Sequence, residues 1–399
     1  MVTKKTIRDL DPHGRVVLVR VDFNVPLDGG SVADDTRIRA ALPTIRALRA
    51  AGGRLVLCSH LGRPKGKVVP EMSLRPAAER LATLIEHPVA FSEKCVGDDV
   101  HAGVAAMGDG DLLLLENLRY HKGETDNDRD FAQALASPAE LFVNDAFGSA
   151  HRAHASTAGV TEHLSPCVSG LLLERELRYL EGALQAPASP FVVILGGAKI
   201  SGKIEVLTNL AERADTILVG GGMVFTFLAA RGLPVGSSLL EMERIETANE
   251  VTSAAESAGC KLLLPVDFLI ADRFAEDAST RTIEATGGVP EGWMGLDIGP
   301  RSVELFAVEV SRASTVVWNG PMGVFEMAPF REGTMALARA MAAATDAGTT
   351  TIVGGADSTA ALNLAKLGDR MTHVSTGGGA SLELLEGKTL PGVAALDDA

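Results

Sequence analysis

The 399-residue sequence has only four cysteines, Cys58, Cys95, Cys167 and Cys260, and none of them forms a CxxC pair or a zinc-like spacing. A disulfide framework is therefore not expected in a chain of this size, and the thiols read as reduced and buried. Long apolar runs are also missing. The longest uncharged one, Thr216 to Ala230, is interrupted by three glycines and falls short of the roughly 18 residues of a membrane span. The opening Met-Val-Thr-Lys-Lys-Thr leads into no apolar signal region, so a cytoplasmic location with no membrane partner is expected. The third absence is an excess of positive charge: 37 Lys and Arg stand against 51 Asp and Glu, a net charge of -14. This argues against binding nucleic acid or anionic membrane by bulk charge and leaves only local basic patches to hold an anion.

What is present is ample apolar material, 46% of residues with a mean hydropathy of +0.17, which excludes disordered and fibrous classes. The length exceeds the roughly 250–300 residues at which one core stops growing, so two domains are expected. Charge is uneven between them. Residues 1–185 carry 22 basic and 25 acidic side chains, residues 186–399 carry 15 and 26, and eight of the nine histidines lie at or before His163. The first half is the better candidate for holding an anion.

Short β-branched and leucine-rich runs, each followed by Gly, Pro or Asp and then a longer amphipathic segment, recur along the whole chain. They predict an α/β fold of two doubly wound parallel sheets, Rossmann-like three-layer αβα sandwiches. Predicted strands are 16–21, 54–59, 111–115 and 141–144, then 191–195, 216–219, 261–264, 315–318 and 350–353. Gly170 to Ala186 reads as a connecting helix, and the Ala-Pro-Ala-Ser-Pro stretch after it as a linker. The layout is thus a domain over 1–170, an interdomain helix over 171–186, a domain over 187–382 and a tail over 383–399.

Open parallel sheets bind ligands at the carboxyl ends of their strands. In the first half those positions are polar and basic: Asp22 and Asn24 in RVDFNVP, Arg37 in DDTRIR, His60 and Arg63 in SHLGRP, Arg119 in ENLRYH, and His151, Arg152 and His154 in AHRAH. Arginine's planar fork suits phosphate and carboxylate, so a convergent set would hold a small, multiply charged anion. Solvated positions or structural ion pairs remain open for each arginine alone, and a turn cap for Asp22.

The second half has glycine clusters in the equivalent places: LGGAK (195–199), VGGGM (219–223), VGGAD (353–357) and TGGGAS (376–381). Glycines between strand and helix let backbone N–H groups approach a phosphate, although tight turns alone would also use them. Residues 197–203 satisfy GxxxxGK, but Ile204 stands where a P-loop needs Ser or Thr, so that motif is rejected. Lys199 and Lys203, at i and i+4, share a face if the segment is helical; they then frame a polyphosphate or simply form a solvated face. Asp357 is apt as a magnesium ligand or as an N-cap. Glu326, in a Gly/Pro loop, reads as surface on position alone.

Ten segments, RVDFNVP (20–26), DDTRIRAALPTI (34–45), SHLGRP (59–64), LLLENLRYH (113–121), NDAFGSAHRAHAS (144–156), GGAKISGK (196–203), GGGMVFTFL (220–228), GWMGLDIGP (292–300), WNGPMGVFE (318–326) and STGGGASLELLEGK (375–388), resemble the signature segments of the phosphoglycerate kinases, in the family's order. They span nearly the entire chain. The resemblance implies Mg2+-dependent, reversible transfer of the acyl phosphate of 1,3-bisphosphoglycerate to ADP, giving 3-phosphoglycerate and ATP, by hinge closure of two domains in a monomer. Under it, Asp22, Asn24, Arg37, His60, Arg63, Arg119 and Arg152 would hold the phosphoglycerate, with Arg37 and Lys199 at the transferring group. Lys203 would bind the nucleotide phosphates, with Gly354, Gly355, Ala356, Ser358 and Gly377, Gly378 and Gly379 close by. Glu326 would meet the ribose, Gly295 and Leu296 would border the adenine, and Asp357 would hold the metal. The tail, with Leu390-Pro-Gly-Val, would return to the first domain.

Two departures from the family pattern stand out. Ala356 replaces the usual third glycine of GGGD, which would add strain if that residue had positive φ. Gly202 stands where some members carry Asp before the second lysine. A two-domain anion-binding protein without chemistry is the rival reading, and an interaction scaffold a third.

Overall fold

The computed structural model describes residues 4–399, so the start of the N-terminal segment, Met1 to Thr3, lies outside the described residues. Contacts divide the chain into two units, one built from the residues up to Arg178 together with Thr389–Ala399, the other from Tyr179–Lys388. The division falls inside the helix Leu171–Gln185 rather than in the Ala-Pro linker that follows it. A linker composition marks where regular structure stops, not where packing changes partners. Likewise the second unit keeps residues 383–388, because Asn209 Nδ2 donates to the Leu385 carbonyl (2.7 Å) and Lys388 pairs with Glu205 (2.5 Å).

In the first unit the apolar runs form β1 (Val16–Arg20), β2 (Arg54–Cys58), β3 (Ala90–Ser92), β4 (Leu112–Leu115), β5 (Leu141–Asn144) and β6 (Cys167–Ser169). They make one parallel sheet in the order β3-β4-β2-β1-β5-β6. The central strands are buried along their length because helices cover both faces, which is why they read as unbroken hydrophobic runs. Residues 389–399 return to this unit: Asn144 Nδ2 donates to the Gly392 carbonyl (2.9 Å), and Lys5 N–H to the Asp397 carbonyl (2.9 Å).

The second unit contains β7 (Phe191–Leu195), β8 (Thr216–Val219), β9 (Lys261–Leu263), β10 (Asp267–Ala271), β11 (Thr280–Glu284), β12 (Met294–Ile298), β13 (Thr315–Asn319), β14 (Thr350–Gly354) and β15 (His373–Val374). Its parallel sheet runs β9-β8-β7-β13-β14-β15, and β11-β10-β12 form a separate antiparallel sheet. Both large sheets are doubly wound. The strand order reverses between β1 and β5 in one unit and between β7 and β13 in the other, and a crevice opens at such switch points.

Register then fixes what faces each crevice. Leu195 pairs with Val219 and with Asn319, and Asn319 pairs with Gly354, so these strands finish in one row. Gly196, Gly220, Gly320 and Gly355 follow directly. At the switch point the two loops touch through backbone: Gly196 N–H donates to the Asn319 carbonyl (3.0 Å) and Gly197 N–H to the Pro321 carbonyl (3.0 Å). A Cβ at Gly196 would collide with the Gly320 and Pro321 carbonyls, whereas one at Gly202 would meet nothing within 4 Å.

Both tryptophans, Trp293 and Trp318, belong to the second unit, so their fluorescence reports its unfolding. Gly196→Ala is expected to lower that unit's stability to urea by about 1–3 kcal/mol through forced backbone displacement, and Gly202→Ala to change it by less than about 0.5 kcal/mol. Equal midpoints for the two variants would show that the loop contact is not tight.

Candidate active site

In the first unit, β1 carries a charge at its carboxyl end. Arg20 is fully buried; its Nε donates to Ser156 Oγ (2.8 Å), Nη1 to the Val21 carbonyl, and Nη2 lies 3.1 Å from His60 Nδ1. Two residues on, Asp22 accepts from Arg37 Nη1 at both oxygens (3.2 and 3.1 Å), and the same nitrogen reaches the Asn24 carbonyl (3.2 Å). The Asn24 side chain accepts from Gly62 N–H (2.9 Å), and the Gly62 carbonyl accepts from Arg119 Nη1 (2.9 Å). Buried Asn117 holds the same loops, since its Oδ1 accepts from the N–H groups of both Leu61 and Arg119 (3.1 Å each).

Asp22, Asn24, Arg37, His60 and Arg119 are thus brought into one cluster of cations and hydrogen-bond groups. Burial, and then the positive charges of Arg20, Arg119 and Arg37, hold His60 well below the ordinary imidazole range, so it is neutral. Arg63 and Arg152 are exposed. Neither guanidinium has a hydrogen bond or ion pair among the described residues, though Arg63 is close enough to depress the Arg119 pKa. Arg119 Nε is buried and unpartnered. Cations gathered at this density, with donors to spare, suit an anion of several charges.

The second unit has a cavity of about 740 Å3 at its switch point, lined by the Gly197 and Gly221–Gly222 loops, by Phe225, Ser238 and Phe268, and by the expected Gly295, Leu296, Glu326 and Asp357. Its walls are largely apolar, and the antiparallel sheet supplies Phe268 and Gly295. A side chain at Gly295 would strike the Phe225 ring, so the flat slot beside β12 depends on that glycine.

Beyond the cavity, Asn319 closes β13. Its side chain accepts from Lys203 Nζ and lies 3.2 Å from where a Cβ on Gly355 would stand. Ser358 Oγ accepts from Gly320 N–H (2.6 Å). Gly378, with φ +52, caps the short helix Gly379–Leu385. Exposed Asp357 has no hydrogen bond or ion pair among the described residues, and no group of three or more His, Cys, Asp or Glu side chains comes together among them as a metal site.

Two conditional expectations are resolved here. Lys199 and Lys203 do not share a helix face: residues 198–200 are irregular, 201–203 form a turn, and the helix Ile204–Ala211 begins only after Lys203, its N-cap. Nor is Ala356 strained. The positive φ (+93) belongs to Gly355, the N-cap of the helix Ala356–Ala365, so Ala356 takes an ordinary helical position and Asp357 lies in the first turn instead of at the cap. Sequence reasoning missed Arg20, Asn117 and Asn319. The signal for two of them was available: a polar residue closing an apolar strand, in VVLVR and TVVWN.

A cationic crevice in one α/β unit and a glycine-edged cavity beside an acidic helix terminus in another are the equipment of a two-unit phosphotransferase. Comparison with known proteins narrows the class. A family profile described as phosphoglycerate kinase matches residues 7–388. The phosphoglycerate kinase of Chloroherpeton thalassium is 57% identical over 99% of this chain and 100% of its own, and that of Synechococcus elongatus 55% identical over the whole of both. Among solved structures, the phosphoglycerate kinase from Coxiella burnetii superposes with a TM-score of 0.90 at 39% identity, and that from Pyrococcus horikoshii with 0.84 at 30%, each over 98% of both chains. The chain belongs to the phosphoglycerate kinase family.

Burial lowers the Lys203 pKa from 10.5 to about 8, against the pull of Asp357 and Glu386. The unfolded chain therefore binds more protons at this lysine than the folded one between those values, and stability must rise with pH across that window. Lys203→Met should remove this part of the rise between pH 8 and 10.5, as read by tryptophan-monitored urea unfolding. An unchanged slope would mean that Lys203 is not desolvated.

Proposed function

We propose that this chain catalyses the reversible transfer of the acyl phosphate of 1,3-bisphosphoglycerate to ADP, yielding 3-phosphoglycerate and ATP. The observation that carries the reading is the pairing of a cationic cluster at the β1/β5 switch point with a glycine-edged cavity at the β7/β13 switch point. The acid's anionic groups are held by Arg37, His60 and Arg119, with exposed Arg63 and Arg152 closing on them. Asp22 and Asn24 orient Arg37 and the Gly62 loop. In the second unit the base lies in the slot of Gly295 and Leu296, Glu326 meets the ribose, and the phosphates lie along Gly354 to Ser358 and Gly377 to Gly379.

The chemistry suits these residues. In the ATP-consuming direction the nucleophile is a carboxylate, already ionised at neutral pH with a pKa of roughly 3.5–4, so no general base is required. Asp22, the buried carboxylate of the acid site, is tied up by Arg37. Transfer forms one P–O bond to the nucleotide and breaks the acyl P–O bond, leaving the electron pair on the carboxylate. No proton moves in that step. The protein's task is to align the two oxygens and offset charge on the transferring group, which falls to Lys199 and Arg37. Lys203 contacts the nucleotide phosphates.

A free, exposed carboxylate in the first turn of a helix fits a hard cation that takes one or two carboxylates and completes its shell with phosphate and water, so Asp357 would hold Mg2+. Bound there, Mg2+ supplies further neutralisation of the nucleotide phosphates. No helix among the described residues is long and apolar enough to cross a membrane. The reading takes the enzyme to be cytoplasmic and monomeric.

A coupled assay of ATP formation from 1,3-bisphosphoglycerate and ADP tests the reading directly. Lys199→Ala is expected to lower kcat by more than about tenfold, or roughly 1.4 kcal/mol; a smaller effect would remove Lys199 from the transfer step. Since acid and nucleotide are held by different units, turnover requires the two ligands to be brought together and water excluded. Small-angle scattering should show compaction with both substrates that neither alone produces, and an unchanged radius of gyration would count against closure.

A further inference from the structure

The cluster that holds the acid rests on a carboxylate that touches none of the expected ligand-binding groups directly. Glu124, in the single turn Lys122–Thr125, is fully buried. Its Oε1 accepts from Ser156 Oγ (2.7 Å) and its Oε2 from Ser156 N–H (3.0 Å), while His154 Nδ1 stands 3.6 Å away. Burial alone would raise the Glu124 pKa, but His154, Ser156 and the Arg20 charge together outweigh it and hold the carboxyl below its ordinary range, so it is ionised. Ser156 Oγ spends its one proton on Glu124 and turns a lone pair to Arg20 Nε (2.8 Å). With Nε anchored there and Nη1 on the Val21 carbonyl, the guanidinium plane is fixed and Nη2 is aimed at His60 Nδ1, 3.1 Å away.

That last contact determines a proton position. A guanidinium donates and cannot accept, so Nδ1 must be the acceptor, and the one ring proton of neutral His60 must sit on Nε2. The other charged or titratable neighbours of the ring are Arg119, Arg37 and His154, none of which offers a carboxylate to draw a second proton onto it.

We infer that Glu124 is a positioning residue of the acid-binding site: through Ser156 and Arg20 it fixes His60 as the Nε2–H tautomer, so that the ring donates a hydrogen bond to an anionic oxygen of the acid. The advantage is chemical. A neutral donor among arginines recognises the anion without adding charge that the empty site would have to carry, and its proton is in place before the ligand arrives. Glu124 also supplies the buried negative charge that a fully buried arginine requires. The inference rests on the acid-binding reading of this cluster.

The test is made on the full chain labelled with 15N at histidine. In the wild type the His60 ring should show one protonated Nε2 and one bare Nδ1, with no titration from about pH 8 down to about pH 6, below the ordinary imidazole value of about 6.5. Glu124→Gln keeps the shape but puts an amide N–H2 against Ser156, and Ser156→Ala cuts the relay while leaving the charge. Each is expected to give mixed tautomers at His60 and to raise the KM for 3-phosphoglycerate on the order of tenfold, as for a lost hydrogen bond to a charged group. The KM for ATP should stay within about twofold, since nothing in this relay reaches the nucleotide unit.

A single Nε2–H tautomer with unchanged KM values in either variant overturns the inference. So does a parallel rise of both KM values, the mark of a merely structural role. If Glu124→Gln fails to fold, Ser156→Ala decides alone. The tautomer is read without turnover, so a wild-type chain that formed no ATP would defeat the proposed function and leave the tautomer result standing.

Discussion

In a parallel sheet each strand is left by a crossover that returns to the same starting edge, so strands held in register finish in one row with their loop backbone facing the same way. Here that row decides almost everything about the two sites. In the second unit it sets Gly196, Gly220, Gly320 and Gly355 side by side, and the switch-point loops come so close that Gly196 and Gly320 have no room for side chains. In the first unit the row ends in Arg20, Cys58 and Asn144, and the residues just beyond are Val21, Ser59 and Asp145, with Asp22 and His60 next. One constraint therefore yields an open, backbone-lined site where small residues follow the strands and a charged one where polar residues do.

The charged site carries a cost that the glycine site avoids. Arg20 and His60 are buried, and Arg37 and Arg119 partly so, and the cost is offset by partners: Arg37 has Asp22, Arg20 has Ser156 and the Val21 carbonyl, and Arg119 Nη1 has the Gly62 carbonyl, while Arg119 Nε is left over. Such matching fixes the side chains in space, the condition for recognising a small ligand closely. It also explains why charge is near balance in the first half of the sequence. On the proposed reading the second half would hold its ligand with backbone and two lysines, which leaves its surface free to be strongly acidic.

Much of this architecture was legible. Strands buried on both faces leave unbroken apolar runs, and those of the two large sheets lie within a residue or so of expectation. Edge strands such as Ala90–Ser92 and His373–Val374 were not visible, because two or three residues carry no periodicity. The antiparallel β11 is almost wholly exposed, and its Thr-Arg-Thr-Ile-Glu reads as loop. At the sites, residue type and spacing singled out polar groups that the fold gathers at the switch points, such as Asp22, Arg37, His60 and Arg119, whereas Asn117, Glu124 and Asn319, which hydrogen-bond around them, were missed. For Asn117 and Glu124 the importance lies in burial and in partners far along the chain, and neither leaves a local pattern; Asn319 left one, the polar end of TVVWN. Two conditional readings turned on backbone details that residue type does not show: the helix begins only after Lys203, and the positive φ belongs to Gly355, not to Ala356.

The path of the chain has a consequence for how the protein is made. The second unit is a continuous insertion within the first, whose last hydrogen bonds, such as that of Asn144 to Gly392, join residues 248 positions apart. At roughly 5–20 residues per second of synthesis, Asn144 waits about 12–50 s for this partner to be made. During that interval the second unit emerges whole, with every segment of its sheet contiguous in sequence, while the first holds six strands but lacks the segment that seals β5 and β6. The half of the molecule translated first is thus the half completed last.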